Sequence, residues 1–211
     1  MAFLRPGMIV SIGTFEQDGK RAAPTPLSWI VLTVEGNRAL LLTQYAIDED
    51  TFHGGLETMS LPNPKKTTWA NSTIRARLNG EFYNSTFTDA EKKAIILSTI
   101  SNDASENTPQ NAYLAERPTQ DHVFLLSFGD AERYLGAYPS SPLRMAKQTP
   151  YCRAWGNEFD PYWRDPWWLR SMTEGGSGAL IIDNTGKYAF QDIWCFEVAL
   201  RPAMWVDTTK L

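Results

Sequence analysis

With two histidines and two cysteines in 211 residues, the chain has few groups suited to imidazole, thiol or zinc chemistry. Cys152 and Cys195 are too few for a disulfide framework at this size and are expected to be reduced, buried thiols. No C-x-x-C or H-x-x-x-H pair offers zinc ligands. No window approaches the ~20 apolar residues of a membrane helix, so membrane insertion is not expected. The opening "MAFLRPGMIVSIGTF" lacks a basic region followed by a long apolar one, so the cytoplasm is the default compartment. Lysine and arginine number 20 against 24 acidic residues, for a net charge of −4. Without a basic surplus, nucleic acid is not an expected partner. There is no internal repeat or low-complexity linker, so a single domain over 1–211 is expected.

Aromatic residues, by contrast, are plentiful: eight Trp, eight Tyr and ten Phe. Such rings fill cores and also dominate recognition surfaces. The first 45 residues read as strands: "MIVSIGTF" (8–15), "SWIVLTV" (28–34) and the start of "RALLLTQYAI" (38–47), the last two a hairpin about Glu35-Gly36-Asn37. Residues 46–68 read as a loop. Trp69, Ile74, Leu78 and Phe82 have near-helical spacing, with Asn79-Gly80 as the expected stop. Thr88 and Glu91 stand at capping-box spacing before an apolar run from Ala94 to Ile100, which predicts a helix there. Residues 101–120 read as a loop, "HVFLLS" (122–127) as a short buried strand, and Ser127 as the cap of a helix through "FGDAERYL". Several strands joined by an Asn184-Thr185-Gly186 turn are expected in the tail.

Most candidate catalytic motifs fail on their own terms. "GGSGA" (175–179) approaches a nucleophile elbow at Ser177, but a β-prone stretch follows where a helix is needed. "GKY" (186–188) lacks the glycine and hydroxyl of a phosphate loop and reads as a hairpin turn. Asp48, Glu49, Asp50 and His53 could offer ligands, but the sixth and twelfth positions of a calcium loop hold His53 and Met59, which leaves a solvated acidic loop. Asp160 and Asp165 flank Trp163 and could in principle do acid–base work on a sugar, with nothing in their spacing to favour it. No catalytic residue, metal or cofactor is expected.

The ordered series "TFEQDGK", "SWIVLTVEGNRALLLTQYAID", "STIRARLNGEFYNSTFTDAEKKAII", "DHVFLLSFGDAERYL", "WWLRS" and "LRPAMWV" resembles an uncharacterised bacterial domain family common in Firmicutes and their phages. The WWLRS…RPA ending also resembles the C-type-lectin-like fold, shared by relatives of the formylglycine-generating enzyme and by the variable proteins of diversity-generating retroelements. That resemblance implies an α+β fold with antiparallel strands, a few helices and long loops. It also implies chain ends that meet in one sheet, "MIVSIGTF" near "RPAMWV". This chain has Met172-Thr173 where relatives read Pro-Gly after WWLRS, and Ala199-Leu200 where they read Gly-Val before RPA. Cys152 and Cys195 sit in no motif matching the enzyme branch, and the calcium-binding triplets of animal lectins are absent, so neither activity carries over.

Trp167, Trp168 and Arg170 read as scaffold, because neighbouring strand residues point to opposite faces. The candidate variable or recognition segment is 172–199. Tyr188, Phe190 and Asp192 share one face at period two, and Trp194 and Phe196 continue it if no bulge intervenes. Taken alone, that face could simply be core; the resemblance turns it into a recognition surface, joined by Thr173 and Glu174. The expected function is a non-enzymatic ligand-binding module for an unknown protein or glycan, as in a retroelement variable protein. The alternatives are an enzyme acting on carbohydrate or a protein thiol, or a structural subunit of a phage or surface assembly. Oligomeric state stays open, and a phage particle or cell surface is the alternative location.

Overall fold

A computed structural model describes residues 3–18, 23–54, 67–153, 165–173 and 176–211. Its first sheet grows from the expected hairpin. Strands β2 (Thr25–Glu35) and β3 (Arg38–Thr43) turn back on each other at Gly36, whose φ of +61° suits glycine. Strand β1 (Ile9–Phe15) pairs with β2 and strand β11 (Ala203–Asp207) with β3, all antiparallel, in the order β1-β2-β3-β11. The two ends of the chain thus share a sheet but lie on its opposite edges, because the hairpin stands between them. What joins those edges is the chain around helix α3 (Asp89–Lys92). The Gly13 N–H donates to the Glu91 carboxylate (2.7 Å), and Ala94 and Ile96 exchange backbone bonds with Asp207 and Trp205 (2.7 and 2.9 Å).

Those bonds also correct the expected helix over 88–100. The capping box forms between Thr88 and Glu91, yet the helix ends after Lys92. The β-branched run beyond it satisfies its backbone on β11 and then becomes strand β5 (Ser98–Asn102). Strand β5 pairs with β6 (Glu116–Asp121), which lies where a loop was expected together with two short 3₁₀ turns. Asn79-Gly80 does not stop its helix either. Helix α1 (Thr73–Arg77) runs through a π turn, Leu78–Phe82, into α2 (Tyr83–Thr86). The Asn79 amide is spent elsewhere: it donates to the carbonyls of Arg75 and Val123 and accepts from the N–H groups of His122 and Val123. Residues 123–126 are buried as expected, but meet the first sheet through a single bridge, Phe124 to Ala203. Ser127 caps helix α4 (Phe128–Tyr134), with Asp130 closing a capping box. A further short helix, α5, spans Pro150–Arg153.

The second sheet has the order β4-β10-β7-β8-β9: β4 (Asp48–Glu49), β10 (Ala199–Leu200), β7 (Trp167–Met172), β8 (Gly178–Ile182) and β9 (Tyr188–Asp192). Only the β10–β7 pair is parallel. The fold is therefore α+β, strand-rich, with short helices and long connections. Among the described residues four tryptophans are fully buried in the core, and each of their indole N–H groups has an acceptor: Trp29 on Ile12 O, Trp69 on Asp121, Trp167 on Arg144 O and Trp168 on Asp50 O (2.8–3.0 Å). No helix among the described residues is long and apolar enough to cross a membrane.

Candidate recognition surface

Strand β7 is buried along its whole length, and its side chains anchor both neighbouring layers. Trp168 packs edge-on against Phe52, while Trp167 lies under the Arg201 guanidinium at 5.1 Å. Arg201 is fully buried and donates to the carbonyls of Thr43 and Leu143, so the RPA arginine ties the first sheet to the second. At Arg170 the strand leaves β8: its N–H bonds Leu126 O (2.9 Å). Its guanidinium reaches the carbonyls of Leu125 and Ser101, the Asn102 amide oxygen and the carboxylates of Asp130 and Glu106. Arg170 and Arg133 together hold the Asp130 carboxyl below its usual range against the opposing effect of burial. Ser171 accepts from Phe128 N–H and donates to Glu106 O. The WWLRS residues are thus occupied inside the fold.

Beyond β7 lies the expected recognition segment. Thr173 is half-buried and closes the β7–β8 connection, its N–H and hydroxyl both donating to Gly178 O (2.9 Å each). Glu174 lies outside the described residues, as do Asp160 and Trp163. The β8–β9 hairpin turns at 183–187, where the Asp183 carboxylate accepts from Thr185 and Lys187 N–H groups. At Gly186 (φ +81°) a Cβ would fall 1.9 Å from Pro139 O, so only glycine fits the turn.

Along β9, Tyr188, Phe190 and Asp192 alternate with Ala189 and Gln191, as period two requires. Tyr188 is half-buried: its hydroxyl donates to Glu132 (2.6 Å), its ring lies 4.6 Å below the Arg144 guanidinium, and Phe128 packs beside it. Burial and the Glu132 carboxylate push its hydroxyl pKa up. Phe190 is 56% exposed and Asp192 is exposed. The strand stops at Asp192, because its carboxylate accepts from Trp194 N–H and its carbonyl from Cys195 N–H, bending the chain into a turn. Ile193 is buried at that bend, Trp194 half-buried against the core, and Phe196 55% exposed. Trp194 and Phe196 therefore belong to a turn that follows β9 and do not extend its alternation.

A second cluster was not legible in the sequence. In place of a solvated acidic loop, Asp48 is buried and ion-paired to Arg77, which also binds Asp50 (2.9 Å). Glu49 meets Asp165 and Cys152, with one donor atom from each within 4.8 Å of the others. The Gln148 amide donates to Asp165. Burial and the neighbouring Asp165 carboxylate push Glu49 up to about 8, and burial raises the Cys152 thiol. Two carboxyls so close disfavour the doubly ionised state, which is the direction in which Glu49 is shifted. Their positions, 49, 152 and 165, come from three separate segments, so no local spacing could have flagged them.

No curated protein and no solved structure matches this chain. The profile of a domain of unknown function, DUF6273, matches residues 36–208, from the β2–β3 turn to the end of β11, and the chain therefore belongs to that family.

Proposed function

We propose that the protein is a non-enzymatic recognition module, in which a C-type-lectin-like scaffold presents the β8–β9 hairpin and the turn after it to a protein or glycan. The observation that carries this reading is the pair of exposed phenylalanines, Phe190 and Phe196, on an edge strand and its following turn. Aromatic rings left in water on one stretch of chain favour a role as contact area. Asp192 and Glu197, both exposed, stand between and beside them to orient a ligand.

The finer reading is a variable protein of a diversity-generating retroelement. It is supported by the burial of the residues on either side of 172–199: Trp167–Ser171 before it and Arg201 after it are all held inside the fold, as a fixed scaffold around a changeable segment requires. A nearby near-copy of the 3′ coding segment differing at adenines, with a reverse-transcriptase gene, would support it, and the lack of both would remove it. The module itself is tested by probing peptide and glycan arrays with the wild-type chain and a Phe190→Ser/Phe196→Ser variant. Signals lost only in the variant, at unchanged melting temperature, are expected. Signals that the variant keeps, or no signals on any array, would overturn the reading.

A further inference from the structure

The free edge of β9 deepens the recognition reading, on which this inference rests. Two backbone bonds bracket the β8–β9 ladder: Asp183 N–H to Lys187 O (2.8 Å) and Ile193 N–H to Ser177 O (3.2 Å). Between them the register runs unbroken from Ile182 opposite Tyr188 to Gly178 opposite Asp192. Bonded and non-bonded pairs alternate in an antiparallel ladder. Counting inward from either end gives the same result. Ala189 and Gln191 turn their backbone groups toward β8, and Tyr188, Phe190 and Asp192 turn theirs away. No strand lies beside β9 on that side among the described residues. The Asp192 carbonyl is taken by Cys195 N–H. The N–H groups of all three residues, and the carbonyls of Tyr188 and Phe190, have no backbone partner among the described residues.

We propose that β9 binds a partner protein by strand addition, taking an extended basic segment along this edge. Free donors and acceptors at every second residue are what a strand needs and what a globular epitope does not use. Phe190 supplies an apolar cross-strand contact at the middle of the edge. The ionic groups on β9 and its flanking turns are Asp183, Lys187, Asp192 and Glu197, three carboxylates to one ammonium. A second copy would bring the same negative surplus to the edge, whereas a basic segment neutralises it.

The probe is an end-blocked octapeptide of alternating valine and lysine, with alternating valine and glutamate as its control, read by amide hydrogen exchange. The valine–lysine peptide is expected to slow exchange at Tyr188, Phe190 and Asp192 by tenfold or more, and the control to leave it unchanged. Phe190→Pro removes one outward N–H while sparing the bonds to β8, and should abolish the effect where Phe190→Ala only weakens it. If Phe190→Pro fails to fold, a valine–lysine peptide N-methylated at each valine asks the same question of the intact protein and should not protect. Protection by the control peptide or by the N-methylated one would overturn the proposal, as would no protection at all. So would slow exchange without peptide in a chain that elutes as a dimer, which would make the occupant a second copy. Array ligands that depend on Phe190 and Phe196 but leave the edge amides unprotected would remove strand addition and keep the recognition surface.

Discussion

Arg170 and Asp130, 40 residues apart, form a buried ion pair that fastens strand β7 to the first turn of helix α4. Asp130 is at the same time the capping-box partner of Ser127, so the arginine fixes the helix start as well as the strand. Replacing Arg170 by alanine leaves Asp130 and Glu106 as buried carboxylates with half their cationic support gone. Urea denaturation should register a loss of about 3–5 kcal/mol. Arg170→Lys should recover only part of it, because one ammonium cannot reach the five acceptors that the guanidinium serves. A loss near zero for Arg170→Ala would mean that the network is solvated.

The Glu49–Asp165 contact predicts an unusual response to pH. In the folded chain Glu49 keeps its proton up to about 8, whereas its ordinary value is 4.5. Between those values the folded state holds a proton that the unfolded state has released, so this group's contribution to stability falls as pH rises from about 4.5 to 8. Below that window the contribution is fully present. Glu49→Gln removes the titration, so its stability should decline less than that of the wild type between pH 5 and 8. Parallel slopes in denaturant melts at several pH values would show that Glu49 titrates normally.

Gly186 makes a sharper steric prediction. The Cβ of Gly186→Ala would occupy the position of the Pro139 carbonyl, in a backbone region that L side chains rarely adopt. Strain of about 1–3 kcal/mol is expected. Because the residue turns β8 into β9, amide exchange should speed up first at Ala189 and Gln191, whose N–H groups face β8, and leave β2 and β3 unaffected. Uniform destabilisation across both sheets would instead mean that the hairpin and the core unfold as one unit.

The local signals that survived folding are those that act within a few residues. The Gly36 hairpin, the Thr88 capping box, the Ser127 cap and the 183–187 turn all stand where spacing put them. Trp167 and Trp168 also emerged as scaffold, since adjacent residues of a strand must face opposite ways and here both faces are covered. What failed to show in sequence depended on distant partners. Ile95 and Ile96 left the helical pattern because β11 offered their backbone a strand, and Asn79 lost its stop role to carbonyls and N–H groups at 122 and 123. Glu49 met Asp165 across more than a hundred residues. On the candidate surface, periodicity correctly grouped Tyr188, Phe190 and Asp192, but it could not foresee that the Asp192 side chain would end the strand.

Tyr188 and Phe190, two residues apart on β9, should therefore separate stability from recognition. Tyr188 is held by Glu132, Arg144 and Phe128, whereas more than half of Phe190 faces water. Tyr188→Phe removes the hydroxyl bond to Glu132 and should cost about 0.5–1.5 kcal/mol of folding stability. Tyr188→Ala should cost more, since Arg144 and Phe128 lose the ring they pack on. Phe190→Ala leaves no cavity, so its stability should stay within about 0.5 kcal/mol of wild type. For any ligand selected on the wild-type chain, Phe190→Ala should nonetheless weaken binding by about 2 kcal/mol or more, the size of effect expected of a central aromatic contact. Thermal melts and binding isotherms on the same two variants decide the matter. If Phe190→Ala unfolds the chain while Tyr188→Ala spares it, the Phe190 ring is part of the core and the recognition surface must lie elsewhere.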